Sequence, residues 1–240
     1  MIFNQSEFDL RCEWGHQGVT QLASIGDVVI IVDILSFSTA VEIATNNGAI
    51  IFPYRWKDSS ANDYAKSIKA ELATKRTSIT GYSLSPRSLT KISMGTKLVL
   101  PSPNGSSLTL LTGKTATLAG CLRNCEAVAR FAQKYGSKIA VIPAGEKWED
   151  GTLRPSLEDL IGAGAILSYL SGSLSPEAET AVAVFNAFKN DLLGALKKCS
   201  SGKELIARGF ESDVELAAEI NVSDCVPVFI DNAYVRLNKK

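Results

Sequence analysis

Between Val28 and Val32 the chain carries apolar side chains without a break, and the run stops on an acid, Asp33. A continuous β-branched run of this kind predicts a strand covered on both faces, as in a parallel sheet. The following "ILSFSTAVEIATNNGA" takes helical spacing over about 38–47, with Asn46, Asn47 and Gly48 as its stop signal. The same alternation recurs downstream. "AIIFPY" (49–54) precedes "SSANDYAKSIKAELATK", where Ser60 and Asp63 have the spacing of a capping box. "KLVLPS" (97–102) leads through "PNGSS" into "LTLLTG", and "TATLAG" (115–120) leads through "CLRN" into "CEAVARFAQKYG". "KIAVIPAG" (138–145) leads through a polar loop into "SLEDLIGAGAILSYL". Helical patterns then dominate in "PEAETAVAVFNAFKNDLLGALKKC", "GKELIARG" and "SDVELAAEI", before "VPVFIDNAYVRL" reads as a strand or hairpin.

Short β-rich runs alternating with helices predict a three-layer α/β/α architecture with a parallel or mixed sheet. No fixed-period repeat, low-complexity tract or linker interrupts residues 1–240, so a single α/β domain is expected.

Charge narrows the partners. Twenty-five basic and 25 acidic side chains leave no net charge, which argues against a nucleic-acid partner. No run of about 18 apolar residues is present, so no membrane span is expected. The N-terminal "MIFNQSEFDLRCEWGHQG" lacks the basic flank and apolar core of a signal peptide. Five cysteines without a C-x-x-C pair then suit reduced thiols in the cytoplasm. With His16 as the single histidine, a metal here is expected to be a hard one that prefers oxygen. A homo-oligomer is compatible with all of this.

Candidate chemistry gathers at the junctions, because ligands of open α/β sheets collect outside the carboxyl ends of strands. Four junctions are small and polar: "DILSFST", "SPNGSS", "GCLRN" and "PAGEKWEDGTLRPSLED". Glycines and helix starts there suit an anion, and the acids suit a cation beside it. Simpler readings stand beside each. Ser106 and Ser107 have the character of N-caps, Asn104-Gly105 of a turn, and Asn124 of a cap. Ser156 and Asp159 have the spacing of a capping box, so Asp159 could merely close its own helix. Cys121 and Cys125 read as small core residues. Asp33 is hardest to explain this way, since its apolar approach leaves few local partners and a buried unpaired charge costs several kcal/mol.

"VVIIVDILSFSTAVEIATNNGA", "VLPSPNGSSLTLL", "GCLRNCEAVA", "VIPAGE" and "SLEDLIGAGAIL" follow one another in an order similar to the 2-phosphosulfolactate phosphatase family, the ComB-like phosphatases. "EWGHQG" near one end and "GKELIARGFESDVELAAEINVSDCVPVF" near the other resemble that family too. The resemblance implies a three-layer fold, magnesium dependence and hydrolysis of a small acidic phosphate monoester. It also implies an arginine where this chain has Ser36, and a Gly-Glu-Arg stretch not recognisable in "ELATKRTSITGYSLSP". Serine cannot grip phosphate or sulfonate as a guanidinium fork does, which leaves Arg76 or Arg123 to supply one.

Taken together, Asp33, Glu158 and Asp159 are the expected acidic cluster for Mg²⁺, with Asp33 either a metal ligand or the nucleophile. Ser36, Asn104, Gly105, Ser106, Arg123 and Asn124 are expected to hold substrate oxygens. A relative that binds a small anion without turnover is the alternative. A nucleotide-binding enzyme is disfavoured, since neither G-x-G-x-x-G nor G-x-x-x-x-G-K-[ST] occurs.

Overall fold

The computed structural model describes residues 2–55, 58–78 and 80–237. Its strands are β1 (Leu10–Cys12), β2 (Val28–Val32), β3 (Ile50–Tyr54), β4 (Glu71–Leu72), β5 (Lys97–Pro101), β6 (Ala116–Gly120), β7 (Ile139–Pro143), β8 (Glu146–Lys147), β9 (Leu153–Arg154), β10 (Pro227–Ile230) and β11 (Ala233–Arg236). The helices are α1 (Gly15–Leu22), α2 (Phe37–Asn46), α3 (Ser59–Ser67), α4 (Pro86–Leu89), α5 (Gly105–Thr109), α6 (Cys125–Tyr135), α7 (Leu157–Leu167), α8 (Pro176–Phe188), α9 (Leu192–Lys198), α10 (Ser200–Ala207) and α11 (Glu211–Ala218).

The apolar run at 28–32 becomes an inner strand of a nine-stranded sheet, ordered β1-β7-β2-β6-β10-β11-β3-β5-β4. β2 pairs in parallel with β7 on one side and β6 on the other. Its side chains alternate between two packed clusters. Val28, Ile30 and Val32 meet Val128, Ile161 and Ile166, while Val29 and Ile31 pack with Val19, Leu22 and Leu108. Both faces are therefore dry, which is why this strand reads as a continuous apolar run rather than an alternating one. The fold is the expected three-layer α/β/α.

The sheet is mixed because of its C-terminal hairpin. β10 and β11 are antiparallel to each other, to β6 and to β3, and they join two blocks that are parallel within themselves. Asp231 and Asn232 turn the hairpin at φ 50° and 65°, the left-handed pair that a two-residue turn demands and that Asp and Asn tolerate.

Two elements differ from the sequence expectation. The helix expected through "SSANDYAKSIKAELATK" ends at Ser67, and Glu71–Leu72 leave it to pair with β5. Its cap is Asp58, which accepts the Ser60 N–H at 3.0 Å, not Ser60 itself. The long helical pattern from Pro176 breaks between α8 and α9, where Asp191 caps the second helix by accepting the Gly194 N–H.

α7 and α8 pack so closely that a Cβ placed on Gly164 would lie 1.9 Å from the Ala181 carbonyl oxygen. Gly164→Ala should therefore lose about 3 kcal/mol, the upper range for overpacking. Gly113→Ala, with open space around it but φ +68°, should lose only about 1 kcal/mol. Urea unfolding of both variants checks the ranking, and equal losses would mean that the seam yields.

Candidate active site

Asp33 follows β2 directly, and its backbone is pinned before its side chain is considered. Its carbonyl accepts the Ser38 N–H at 2.8 Å, and its own N–H donates to Ser38 Oγ at 3.0 Å. Ser38 Oγ in turn donates to the Ile31 carbonyl, and Thr39 Oγ1 to the Ile34 carbonyl. The hydroxyls of Ser38 and Thr39 thus serve the backbone of the turn. The Asp33 carboxylate points across it: Oδ1 accepts the Phe37 N–H at 3.1 Å and Oδ2 the Gly105 N–H at 2.9 Å. The second bond reaches the loop after β5. Gly105 is required there, since a Cβ would fall 2.2 Å from Phe37 Cδ1.

Asp159 makes the matching link. It does not complete a box with Ser156, whose side chain makes no cap bond. Its Oδ1 accepts the Ile34 N–H at 2.7 Å and its Oδ2 the Gly145 N–H at 2.9 Å. Two aspartates therefore tie the loops after β2, β5 and β7 together through backbone amides.

Burial opposes their charge. Asp33 is only 5% exposed, and its carboxyl is pushed up to about 6, chiefly by desolvation. The Phe37 and Gly105 amides pull it down, while the charges of Glu146 and Glu158 push it further up. Asp159 is raised well above the usual carboxylate range by burial, by Glu158 and by Asp33. Glu158 Oε2 is buried without a hydrogen-bond partner among the described residues. This crowding of carboxylates is what a cation or a proton would relieve.

Asp33 opens into a cleft of about 480 Å³. Ser36, Asn104 and Glu146 share its wall with Asp33, and Lys75, Arg76, Glu204 and Arg208 complete its charged lining. Asn104 Nδ2 donates to Glu146 Oε1 at 2.9 Å, and this pair separates the cleft from a second hollow lined by Trp14, His16 and Arg55. Ser36 accepts Arg76 Nη2 at 3.1 Å.

The other expected site residues lie elsewhere. Ser106 is fully buried and donates to the Leu100 carbonyl. Arg123 is bound by Glu42 at 2.6 Å and by Glu219, and Asn124 bonds the Cys121 N–H and the Cys225 carbonyl. Neither lines the cleft; both join the loop after β6 to its surroundings. This corrects the expectation that they hold substrate oxygens. Glu146, Lys75 and Arg208 were not among the expected site residues. The "PAGE" junction pointed toward Glu146, whereas nothing local marks the two basic residues.

For a metal, the trio Asp33, Glu158 and Asp159 does not converge. Among the described residues no three acidic, histidine or cysteine side chains form a ligand set. Neither Asp159 nor Glu158 lines the cleft, and Glu158 lies beside Cys199, whose thiol is pushed up to about 12 by burial and, after it, by that charge. Mg²⁺ asks for less than a full protein cage, commonly one or two carboxylates with water and phosphate oxygens. Asp33 and Glu146 offer that on the cleft wall, so the donor set fits a water-rich magnesium ion.

The sign of the Asp33 shift sets a test in metal-free protein. The native state keeps this proton to about 6, whereas the usual carboxyl loses it near 3.8. Between those values the native state binds more protons than the unfolded one, so stability falls as pH rises. Asp33→Asn abolishes this contribution. Relative to the wild type, the variant should gain about 2–3 kcal/mol between roughly pH 4 and 8. Urea midpoints at both pH values measure it, and a gap moving against the variant with rising pH would make Asp33 a purely structural anion.

Comparison with known proteins sets this geometry in a family. The family model described as 2-phosphosulpholactate phosphatase matches residues 16–232. The 2-phosphosulfolactate phosphatase of Methanothermobacter thermautotrophicus is 31% identical over 137 residues, which are 57% of this chain and 58% of that protein. A probable 2-phosphosulfolactate phosphatase of Thermosynechococcus vestitus is 32% identical over 143 residues, 55% of this chain and 57% of its own length. These two alignments thus span little more than half of either relative. Another probable 2-phosphosulfolactate phosphatase, from Synechococcus sp., is 30% identical over 220 residues, covering 85% of this chain and 89% of the relative. With the model match covering most of the chain, this protein belongs to the 2-phosphosulfolactate phosphatase family.

Proposed function

We propose that the protein is a magnesium-dependent phosphatase acting on a small acidic phosphate monoester, with 2-phosphosulfolactate as the first substrate to test. The observation that carries this reading is Asp33: a carboxylate held by amides of two segments, open to a cleft, and facing basic side chains. The names of the relatives support the phosphatase chemistry.

In this reading Asp33 attacks phosphorus, forming an Oδ–P bond as the ester P–O bond breaks, and water then hydrolyses the aspartyl phosphate. Each Asp33 oxygen accepts one amide N–H and keeps a lone pair, so the carboxylate is oriented without being fully consumed. Asp33 and Glu146 would be the residues to hold Mg²⁺, which when bound would neutralise charge on the phosphoryl oxygens. Asn104 fixes the Glu146 carboxylate through its 2.9 Å bond. Asp159 does not touch substrate; by bonding Ile34 and Gly145 it sets the spacing of the loops that do.

Turnover should require a divalent cation and not thiols, because all five cysteines are buried. Exhaustive chelation should abolish phosphate release and Mg²⁺ should restore it, while Cys121→Ala leaves the rate within about threefold. Asp33→Asn should lower kcat/KM by ~10³-fold, typical of removing a group that acts on the reacting atoms. Phosphate release from a monoester panel measures both. Ligand binding with no release from any monoester would favour an anion-binding protein instead.

A further inference from the structure

Arg123 lies away from the cleft, yet three segments meet at its guanidinium. Nε donates to Glu42 Oε2 on α2 at 2.6 Å, while Nη1 donates to the Leu216 carbonyl on α11 at 3.3 Å and pairs with Glu219 just past that helix. Leu216 stands in the last turn of α11, where carbonyls lack helical partners and a cation is favoured. The backbone of the same loop holds the chain that leaves α11. The Leu122 and Arg123 carbonyls accept the Asn221 and Ser223 N–H groups at 3.1 and 3.0 Å. Glu42 is fully buried, and Arg123 is its one ion-pair partner among the described residues. Its Oε1 has no hydrogen bond among them.

For stability alone this is a poor arrangement. Desolvation cancels much of the attraction in a buried pair, an unmet buried oxygen costs more, and apolar side chains of similar size pack as well. What the pair supplies is direction, because a planar guanidinium meets several acceptors only at a set angle.

That direction matters because of what α11 carries. Near its start Asp213 pairs with Arg76 and accepts Ser85 Oγ at 2.6 Å and the Arg87 N–H at 3.0 Å, so the loop between β4 and α4 hangs on this helix. α10 leans on it too. The Phe210 N–H donates to the Leu205 carbonyl at 2.8 Å, and Leu205 shares a packed cluster with Val214 and Ala217. These two segments form the outer side of the cleft, the loop through Arg76 and Leu84, α10 through Ser201 and Glu204. On the facing side Asp33 and Ser36 lead directly into α2. Arg123 thus ties the helix that carries one side to the helix that starts from the other.

Resting on the phosphatase reading above for what the cleft binds, we infer that Arg123 is a positioning residue: through Glu42 and the end of α11 it sets the width of the cleft before a ligand enters. It touches neither substrate nor reacting atoms. Without it the outer side samples arrangements of which only a fraction binds, so apparent affinity falls by that fraction while the bound complex reacts as before. The effect falls on KM and spares kcat.

Three variants separate positioning from simple loss of stability. Arg123→Gln leaves Glu42 buried without a cation, Arg123→Lys returns the charge but not the fork, and Glu42→Leu with Arg123→Met replaces the pair by apolar side chains. The lysine variant and the double variant should melt within about 4 °C of the wild type, and Arg123→Gln lower. In metal-free protein these two stable variants should nevertheless exchange amide hydrogens at least about tenfold faster in residues 80–89, α10 and α11, with β2 and β7 at the wild-type rate. KM for 2-phosphosulfolactate should rise at least about fivefold in both, with kcat within about twofold and the rate recovered at saturating substrate. If the double variant does not fold, Arg123→Lys carries the test. Wild-type exchange in α10 and α11, or an equal rise in β2 and β7, overturns the assignment. An unchanged KM in a wild type that turns over overturns it as well. Faster exchange confined to the outer side, with no phosphate released from any monoester by the wild type, supports the positioning role and leaves only the phosphatase reading to fail.

Discussion

The site depends on two buried carboxylates that bind backbone rather than side chains. Asp33 joins the loops after β2 and β5, and Asp159 joins those after β2 and β7. Strand pairing fixes where each strand ends, but the loops beyond those ends have no ladder to hold them. A carboxyl group accepting two amides is a directional substitute, because buried amides and acceptors left unmet are costly. Moving either aspartate would release the loop that carries Asn104 or the one that carries Glu146, and the cleft wall with it.

The same arrangement carries an electrostatic cost. Glu146 and Glu158 add like charge to a carboxyl already desolvated, which is why Asp33 is held near 6 despite two amide donors. A protein optimised only for stability would place apolar groups here. Retaining acids in a dry setting beside an open cleft is the pattern expected when a site trades stability for reactivity or for cation affinity.

The C-terminal helices complete the cleft from outside the sheet. Asp213 at the start of α11 and Phe210 just before it hold Arg76, while α10 brings Glu204 and carries the chain to Arg208 at its end. One wall is therefore made by strand-end loops and the other by a loop anchored on helices far along the chain. That division separates the acidic side of the cleft from its basic side.

By itself, the sequence determined the layers. The apolar run at 28–32 required two dry faces, and the alternation of runs and helical spacing required helices over both; "VPVFIDNAYVRL" left strand or hairpin open, and the structure makes it a hairpin turned at Asp231 and Asn232. The unusual standing of Asp33 was also legible, since the apolar approach to it leaves few local partners for an acid. Tertiary structure decided the rest of the site. Asp159 has the local spacing of a helix cap yet bonds Ile34, 125 positions away, and Arg76 is fixed by Asp213 at a separation of 137. Arg123 and Asn124 stand at a junction of the right composition, but their nearest partners are Glu42, Glu219 and Cys225, so they are spent on packing. Local pattern reports which face of an element is dry and where an element stops. It does not report which distant amide or carboxylate a polar side chain meets, because that is set by sheet order and by how the C-terminal helices close over the strand ends.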